Sequence, residues 1–96
     1  MKIVLKPHLK IRLKGRLIPS SYPSKIISQP DHRYFDAATY HLIAIKELKY
    51  VGKLRPMVVV YDTIEETIEV VSIYPTDKQE IKNRIKNKRW VKHEKT

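Results

Sequence analysis

No cysteine occurs in the chain, so neither a disulfide framework nor a thiolate zinc site can be built from it. That absence fits a cytoplasmic protein, the compartment expected here. Glycine is nearly missing as well, at 2 residues, which leaves no glycine-rich loop to cradle a nucleotide phosphate. A Gly-x-Ser-x-Gly nucleophile elbow is likewise lacking, so nucleotide hydrolysis and acyl transfer are not expected. No stretch approaches the roughly 20 apolar residues that span a bilayer. Lys6, His8 and Lys10 follow the first apolar residues too closely for a secretory leader. The four histidines are scattered without ligand spacing, so no metal and no cofactor is expected.

Acidic residues are absent from Met1 to Pro30, a stretch that holds seven basic ones. Asp31 to Asp77 carries five basic and eight acidic residues, and Lys78 to Thr96 carries eight basic and two acidic. Two cationic arms, +7 and +6, thus flank a middle of −3 within a net +10. Such segregation attracts phosphate backbones and speeds encounter with them. At 96 residues there is room for one core, and the 42% hydrophobic content argues against a wholly disordered chain. A single domain over residues 1–90 is expected, with a basic tail over 91–96.

Helical and extended periodicities divide the chain. After a short extended start at 2–6, Pro7 suits the first turn of a helix. Leu9, Leu13 and Leu17 recur at four-residue spacing, which predicts a helix from about Pro7 to Arg16, stopped by Pro19. Ser20-Ser21-Tyr22-Pro23 reads as a second helix start, closed by Gln29-Pro30-Asp31. Four strands are expected at Arg33–Thr39, Tyr40–Tyr50, Met57–Tyr61 and Thr67–Tyr74. The first pair is followed by a turn over Val51–Pro56, and the last two are joined at Asp62–Glu66. Met57–Tyr61 is almost wholly apolar, as suits a strand buried on both faces. Asp77, with Glu80 three residues on, caps a last helix. The expected class is α+β: two N-terminal helices, a four-stranded antiparallel sheet with helices on one side, and a C-terminal basic helix.

His8-x-x-x-Arg12-x-x-x-Arg16 places three side chains along one helical stripe about 12 Å long. Arginine forks clamp phosphate oxygens, and an imidazole moves a proton near neutral pH. At the C-terminal end, Lys82, Arg84, Lys86, Lys88 and Arg89 gather around the single tryptophan, Trp90. Trp90 either stacks on an unpaired base or anchors the helix against the sheet. Lys10 adds to the cations of the N-terminal arm. His41 is expected on a sheet face, and His32 and His93 have no evident partner.

Pro7-His8-Leu9-Lys10-Ile11-Arg12, then Arg16-x-Ile18, a short second helix, Gln29-Pro30-Asp31 and Ser72-Ile73-Tyr74-Pro75 carry a resemblance. They resemble a small family of prokaryotic proteins of unassigned function grouped with the RelE, barnase and EndoU-like ribonucleases. The chain departs from that pattern at Leu17, where the family usually has glycine, and at Pro19 and Pro23. The resemblance implies a RelE/barnase-like fold and metal-independent RNA cleavage by 2′-OH attack, often as the toxin of a toxin–antitoxin pair with an acidic antitoxin as partner. On that reading His8 is the general acid or base, Arg12 and Arg16 stabilise the transition state, and Ser72 and Tyr74 orient the phosphate or donate a proton. The alternative is a non-catalytic module that binds RNA, or less favourably DNA, through the same arms. A third reading is a structural partner in an assembly, its charge serving solubility alone. A membrane-surface role is not expected, since Ile81, Ile85 and Trp90 are too sparse an apolar face.

Overall fold

The computed structural model describes residues 2–93. Lys2–Leu5 forms strand β1, and Pro7 opens helix α1, Pro7–Gly15, where its missing N–H costs nothing. Leu9 and Leu13 are the buried pair of α1. The helix ends in a Schellman turn: Ile18 N–H donates to the Leu13 carbonyl at 2.9 Å, and Leu17 N–H to that of Lys14 at 3.2 Å. Leu17 takes the left-handed position of that turn, φ 59°, which glycine normally fills. Helix α2, Tyr22–Ser28, buries Pro23, Ile26 and Ile27.

The remaining elements are β2 (His32–Asp36), β3 (Leu42–Tyr50), β4 (Lys53–Ile64), β5 (Thr67–Pro75), α3 (Lys78–Lys86) and β6 (Trp90–Lys92). They build one six-stranded sheet in the order β1-β5-β4-β3-β2-β6. β1 runs parallel to β5, pairing Lys2 with Thr67 and Leu5 with Val70, and every other pair is antiparallel. Asp77 caps α3 as its spacing to Glu80 predicts, accepting from the Glu80 N–H at 2.8 Å.

This architecture corrects the expected fold class, a four-stranded antiparallel RelE/barnase-like sheet behind two N-terminal helices. A strand precedes the helices, another follows α3, and the sheet is mixed. The helices also occupy both faces. Leu9, Leu13, Ile26 and Ile27 of α1 and α2 share a core with Ala44, Met57, Val59, Ile68, Val70 and Ile73. On the other face Ile81 of α3 packs on Tyr34, Ile43, Ile45, Val58 and Trp90. Met57, Val58 and Val59 are all buried, so β4 is covered on both sides, as its apolar run implies.

One irregularity sets which side chains share a face. Val60 pairs with Ser72 but Tyr61 with Val70, so Val71 has no partner and forms a bulge. Strict alternation from Ile68 and Val70 would carry Ser72 and Tyr74 to the α1 face. The extra residue reverses the parity: Ile73 joins the α1–α2 core, and Tyr74 packs on the α3 side.

The β3–β4 turn is two residues, Val51 at φ 49° and Gly52 at φ 85°. Positive φ at both positions is the type I′ signature, for which Asn-Gly is the favoured pair. A β-branched valine is strained there. Val51→Asn is therefore expected to raise stability by about 1 kcal/mol, read as a higher denaturation midpoint at unchanged m-value. A fall in stability would show that Val51 has a packing role that outweighs its backbone strain. Among the described residues no helix is long and apolar enough to cross a membrane.

Candidate nucleic-acid interface

The cationic C-terminal segment is organised by two acidic residues. Asp36 ends β2, and its Oδ1 accepts from the N–H groups of Ala38 (2.9 Å) and Thr39 (3.2 Å), shaping the β2–β3 turn. The same oxygen accepts from Arg89 Nε at 2.7 Å. Ala37 N–H donates to the Arg89 carbonyl at 2.8 Å, so the turn and the residue before β6 are joined twice. One turn back along α3, Arg84 Nε donates to Glu80 Oε1 at 3.3 Å, and its guanidinium lies 5.6 Å from the centre of the Trp90 ring.

Between α3 and the Ala37–Ala38 turn these contacts frame an open cleft of about 570 Å³. Arg84, Arg89, Lys88, Asn83 and Asn87 line it, with Glu80 as the acidic member. Both arginines are held through Nε, and among the described residues their terminal nitrogens make no hydrogen bond. The outer edge of each fork is thus oriented in advance, the geometry that recognises a phosphate with least loss of side-chain freedom. The Oδ1 atoms of Asn83 and Asn87 accept from Gln79 Nε2 and from the Arg89 N–H, each at 3.1 Å, which leaves the amide N–H groups as the donors a base edge can use.

Burial alone would push the Asp36 carboxyl up. The Arg89 hydrogen bond, the N–H groups of Ala38 and Thr39 and the guanidinium charge outweigh it, lowering the value from 3.8 to about 2. The hydrogen bond to Asp36 raises Arg89 in turn. A depressed carboxylate stabilises the fold above its unfolded value, and that contribution is lost as pH falls through the folded one. Between pH 3.8 and about 2 the protein is expected to lose on the order of 2 kcal/mol through this group. Thermal unfolding across that window should show the loss, and Asp36→Asn should flatten it. An equally steep fall in the variant would place the acid sensitivity elsewhere.

The residues singled out in the sequence divide into two places. His8, Lys10 and Arg12 are exposed on α1, and among the described residues no hydrogen bond or ion pair engages the side chains of His8 or Arg12. Arg16 reaches the strand: its Nη1 donates to the Ile73 carbonyl at 3.1 Å, next to Tyr74. Tyr74 itself sits half-buried among the α3-side residues, so its ring does not share a face with α1. Burial raises its pKa, Arg84 opposes that rise, and Glu80 and Asp36 add to it, which places the phenol in the field of the cleft. Ser72 is half-buried on β5 beside Val60.

Trp90 is 2% exposed and stacks on Tyr34 with ring centres 5.8 Å apart. Of the two roles open to it in the sequence, this burial matches the anchor against the sheet, and the ring is not placed to stack on a base. Lys82, Lys86 and Lys88 are exposed, whereas Arg84 and Arg89 are partly covered by the contacts that orient them. Val91 and Lys92 of the expected tail continue β6 against β2, and residues 94–96 lie outside the described residues.

Three features escaped the sequence reading. Asn83 and Asn87 do not stand out within a run of lysine and arginine, though their four-residue spacing puts them on one side of α3. Asp36 before Ala37-Ala38-Thr39 carries an Asx-turn signal that a strand drawn through to Thr39 hid. His41 Nδ1 lies 2.6 Å from Asp62 Oδ1, a pairing across β3 and β4 that only the hairpin register discloses. Among the described residues no group of three or more His, Asp or Glu is placed to hold a metal ion.

Comparison with protein families, curated proteins and solved structures yields no match.

Proposed function

We propose that this protein binds single-stranded RNA, holding the phosphate backbone along α3 and in the cleft beside the Ala37–Ala38 turn. One observation carries the reading: Arg84 and Arg89 are each fixed through Nε, by Glu80 and Asp36, and both line a cleft that also holds Lys88, Asn83 and Asn87. Phosphates supply affinity, and the asparagines reach base edges that are accessible only in an unpaired strand. At about 570 Å³ the open cleft has room for a nucleotide-sized group against it. The net +10 adds long-range attraction.

Anisotropy titration of a labelled RNA oligonucleotide tests this. Arg84→Ala is expected to weaken binding by about tenfold, a charge-assisted contact's worth, and Arg12→Ala by much less. A matching DNA oligonucleotide should bind more weakly if the ribose 2′-OH is read. Equal losses from Arg84→Ala and Arg12→Ala would remove the cleft from the reading.

A ribonuclease reading draws support from Arg16, which brings the α1 stripe to the backbone of β5 beside Ser72 and Tyr74. The placement of Tyr74 on the α3 side weighs against a single His8–Arg12–Arg16–Tyr74 constellation. Incubation with single-stranded RNA in EDTA decides between binding and cleavage. A 2′,3′-cyclic phosphate product that disappears in His8→Ala would replace the binding reading with the nuclease one.

A further inference from the structure

The β2–β3 turn presents an aromatic ring as well as the two alanines of the cleft. Asp36 closes this turn: its carboxylate holds the N–H groups of Ala38 and Thr39, and its carbonyl accepts from the Tyr40 N–H at 2.7 Å. Tyr40 is thereby fixed at φ 65°, a left-handed conformation that asparagine and glycine tolerate and a bulky side chain does not favour. It is 75% exposed. Its ring meets that of Phe35, with centres 6.0 Å apart and planes tilted by 36°.

Phe35 pairs with Leu42 on one side and with Val91 on the other. Leu42 packs on the α1–α2 core, whereas Tyr34 and Trp90, the chain neighbours of Phe35 and Val91, belong to the α3 side. Strand alternation therefore turns Phe35 and Val91 to the face of α1 and α2. Among the described residues that core takes no member from β2 or β6. This corner of the face is open, with Phe35 half-buried and Val91 49% exposed.

A tyrosine held exposed in unfavourable backbone gives up stability and gains little burial in return, which points to use by a ligand. A ring with an open π-face suits a nucleobase, which stacks whatever its identity. Charge agrees. Segments 32–42 and 87–93 carry Arg33, Lys88, Arg89 and Lys92 against one acid, Asp36, and Arg89 already holds it. A second copy of a chain at net +10 would be repelled. Position agrees too: Ala38 lines the α3 cleft, and Tyr40 follows it by two residues, at most about 7 Å of backbone. We propose that Tyr40, backed by Phe35, is the stacking platform for an unpaired base of the RNA strand whose phosphates lie in the cleft. The inference rests on the RNA reading above and adds to it the contact that recognises a base. Asp36 then serves both parts, its carboxylate orienting Arg89 and its turn presenting Tyr40.

Tyr40→Asn removes the ring and suits the backbone, so the variant is expected to unfold no earlier than the parent. It should bind a labelled single-stranded RNA oligonucleotide about tenfold more weakly, at unchanged salt slope because no phosphate contact is lost. Tyr40→Phe should keep the parental affinity. Bases are then removed one at a time along the oligonucleotide, with ribose and phosphates left in place. At one position the parent should lose the same tenfold and Tyr40→Asn nothing further, a coupling that a merely structural ring would not produce. Losses that add at every position would overturn the proposal. So would parental affinity in Tyr40→Asn beside a loss in Arg84→Ala, an outcome that leaves the cleft standing. Parental affinity in both variants would remove cleft and platform together. Self-association of the RNA-free protein that Tyr40→Asn abolishes would make the ring pair a contact between copies instead.

Discussion

Reversing Lys82, Lys86 and Lys88 to glutamate is expected to lower affinity for single-stranded RNA by about a hundredfold or more at physiological salt, and to flatten its salt dependence. Each phosphate contact on a single strand adds about 0.7 to the slope of log affinity against log salt, so three lost contacts reduce the slope by about 2. All three lysines are exposed and engage no partner in the fold among the described residues, so the triple variant should unfold as the parent does. A change this large also alters the field of the whole molecule. The matched control is therefore a second triple reversal, at Lys6, Lys10 and Lys25 of the N-terminal arm, which brings the net charge from +10 to the same +4. If the field alone governed binding, the two variants would fall together. If RNA lies along α3, the first falls far more than the second, and Asn83→Ala and Asn87→Ala then alter base preference at nearly constant salt slope. Equal losses would make this a diffusely cationic protein and end the case for the cleft.

Legibility in the sequence followed the range of the interaction concerned. The extent of α1 and the start of α3 are readable because Pro7, the Leu9–Leu13 spacing and the Asp77–Glu80 cap act within one or two turns. Burial of Met57–Val59 on both faces was readable from an unbroken apolar run. The parallel pairing of Lys2–Leu5 with Thr67–Val70 was not, since nothing in a four-residue strand names a partner more than sixty residues away. β6 hid inside a basic segment for a related reason: only Trp90 is buried in it, and its register comes from Asp36 across the sheet. The largest consequence came from Val71. A valine within an apolar strand carries no mark of a bulge, yet that one residue moves Tyr74 from the face of His8 and Arg12 to the face of Arg84 and Arg89. The two basic arms were visible as composition. Which of them has a shaped surface depended on Asp36 and Glu80, acidic residues whose value lies in holding arginines still.

Trp90→Ala is expected to destabilise the fold by about 3–5 kcal/mol, a large share of the roughly 5–15 kcal/mol that holds a domain together. The indole fills the α3-side core with Tyr34, Ile43, Ile45 and Val58, and Arg84 covers its other side. Truncation would leave a cavity beneath α3 and loosen β6, whose only buried residue it is. For a chain of this length the melting temperature should fall by about 15–30 °C. Trp90→Phe separates packing from polarity. Trp90 Nε1 is buried with no hydrogen-bond partner, and an unpaired donor of that kind costs about 1–3 kcal/mol. Phenylalanine removes that penalty while giving up part of the contact area, so its net effect should stay within about 1.5 kcal/mol of the parent. The same variant should bind RNA as the parent does, because the indole is sealed from the cleft that Arg84 and Arg89 present. A Trp90→Ala protein of near-parental stability would place the ring outside the core, and a loss of RNA affinity in Trp90→Phe would return it to the bases. The pair of measurements therefore tests the arrangement on which the cleft depends: a tryptophan below and, laid over it, an arginine that lines the cleft.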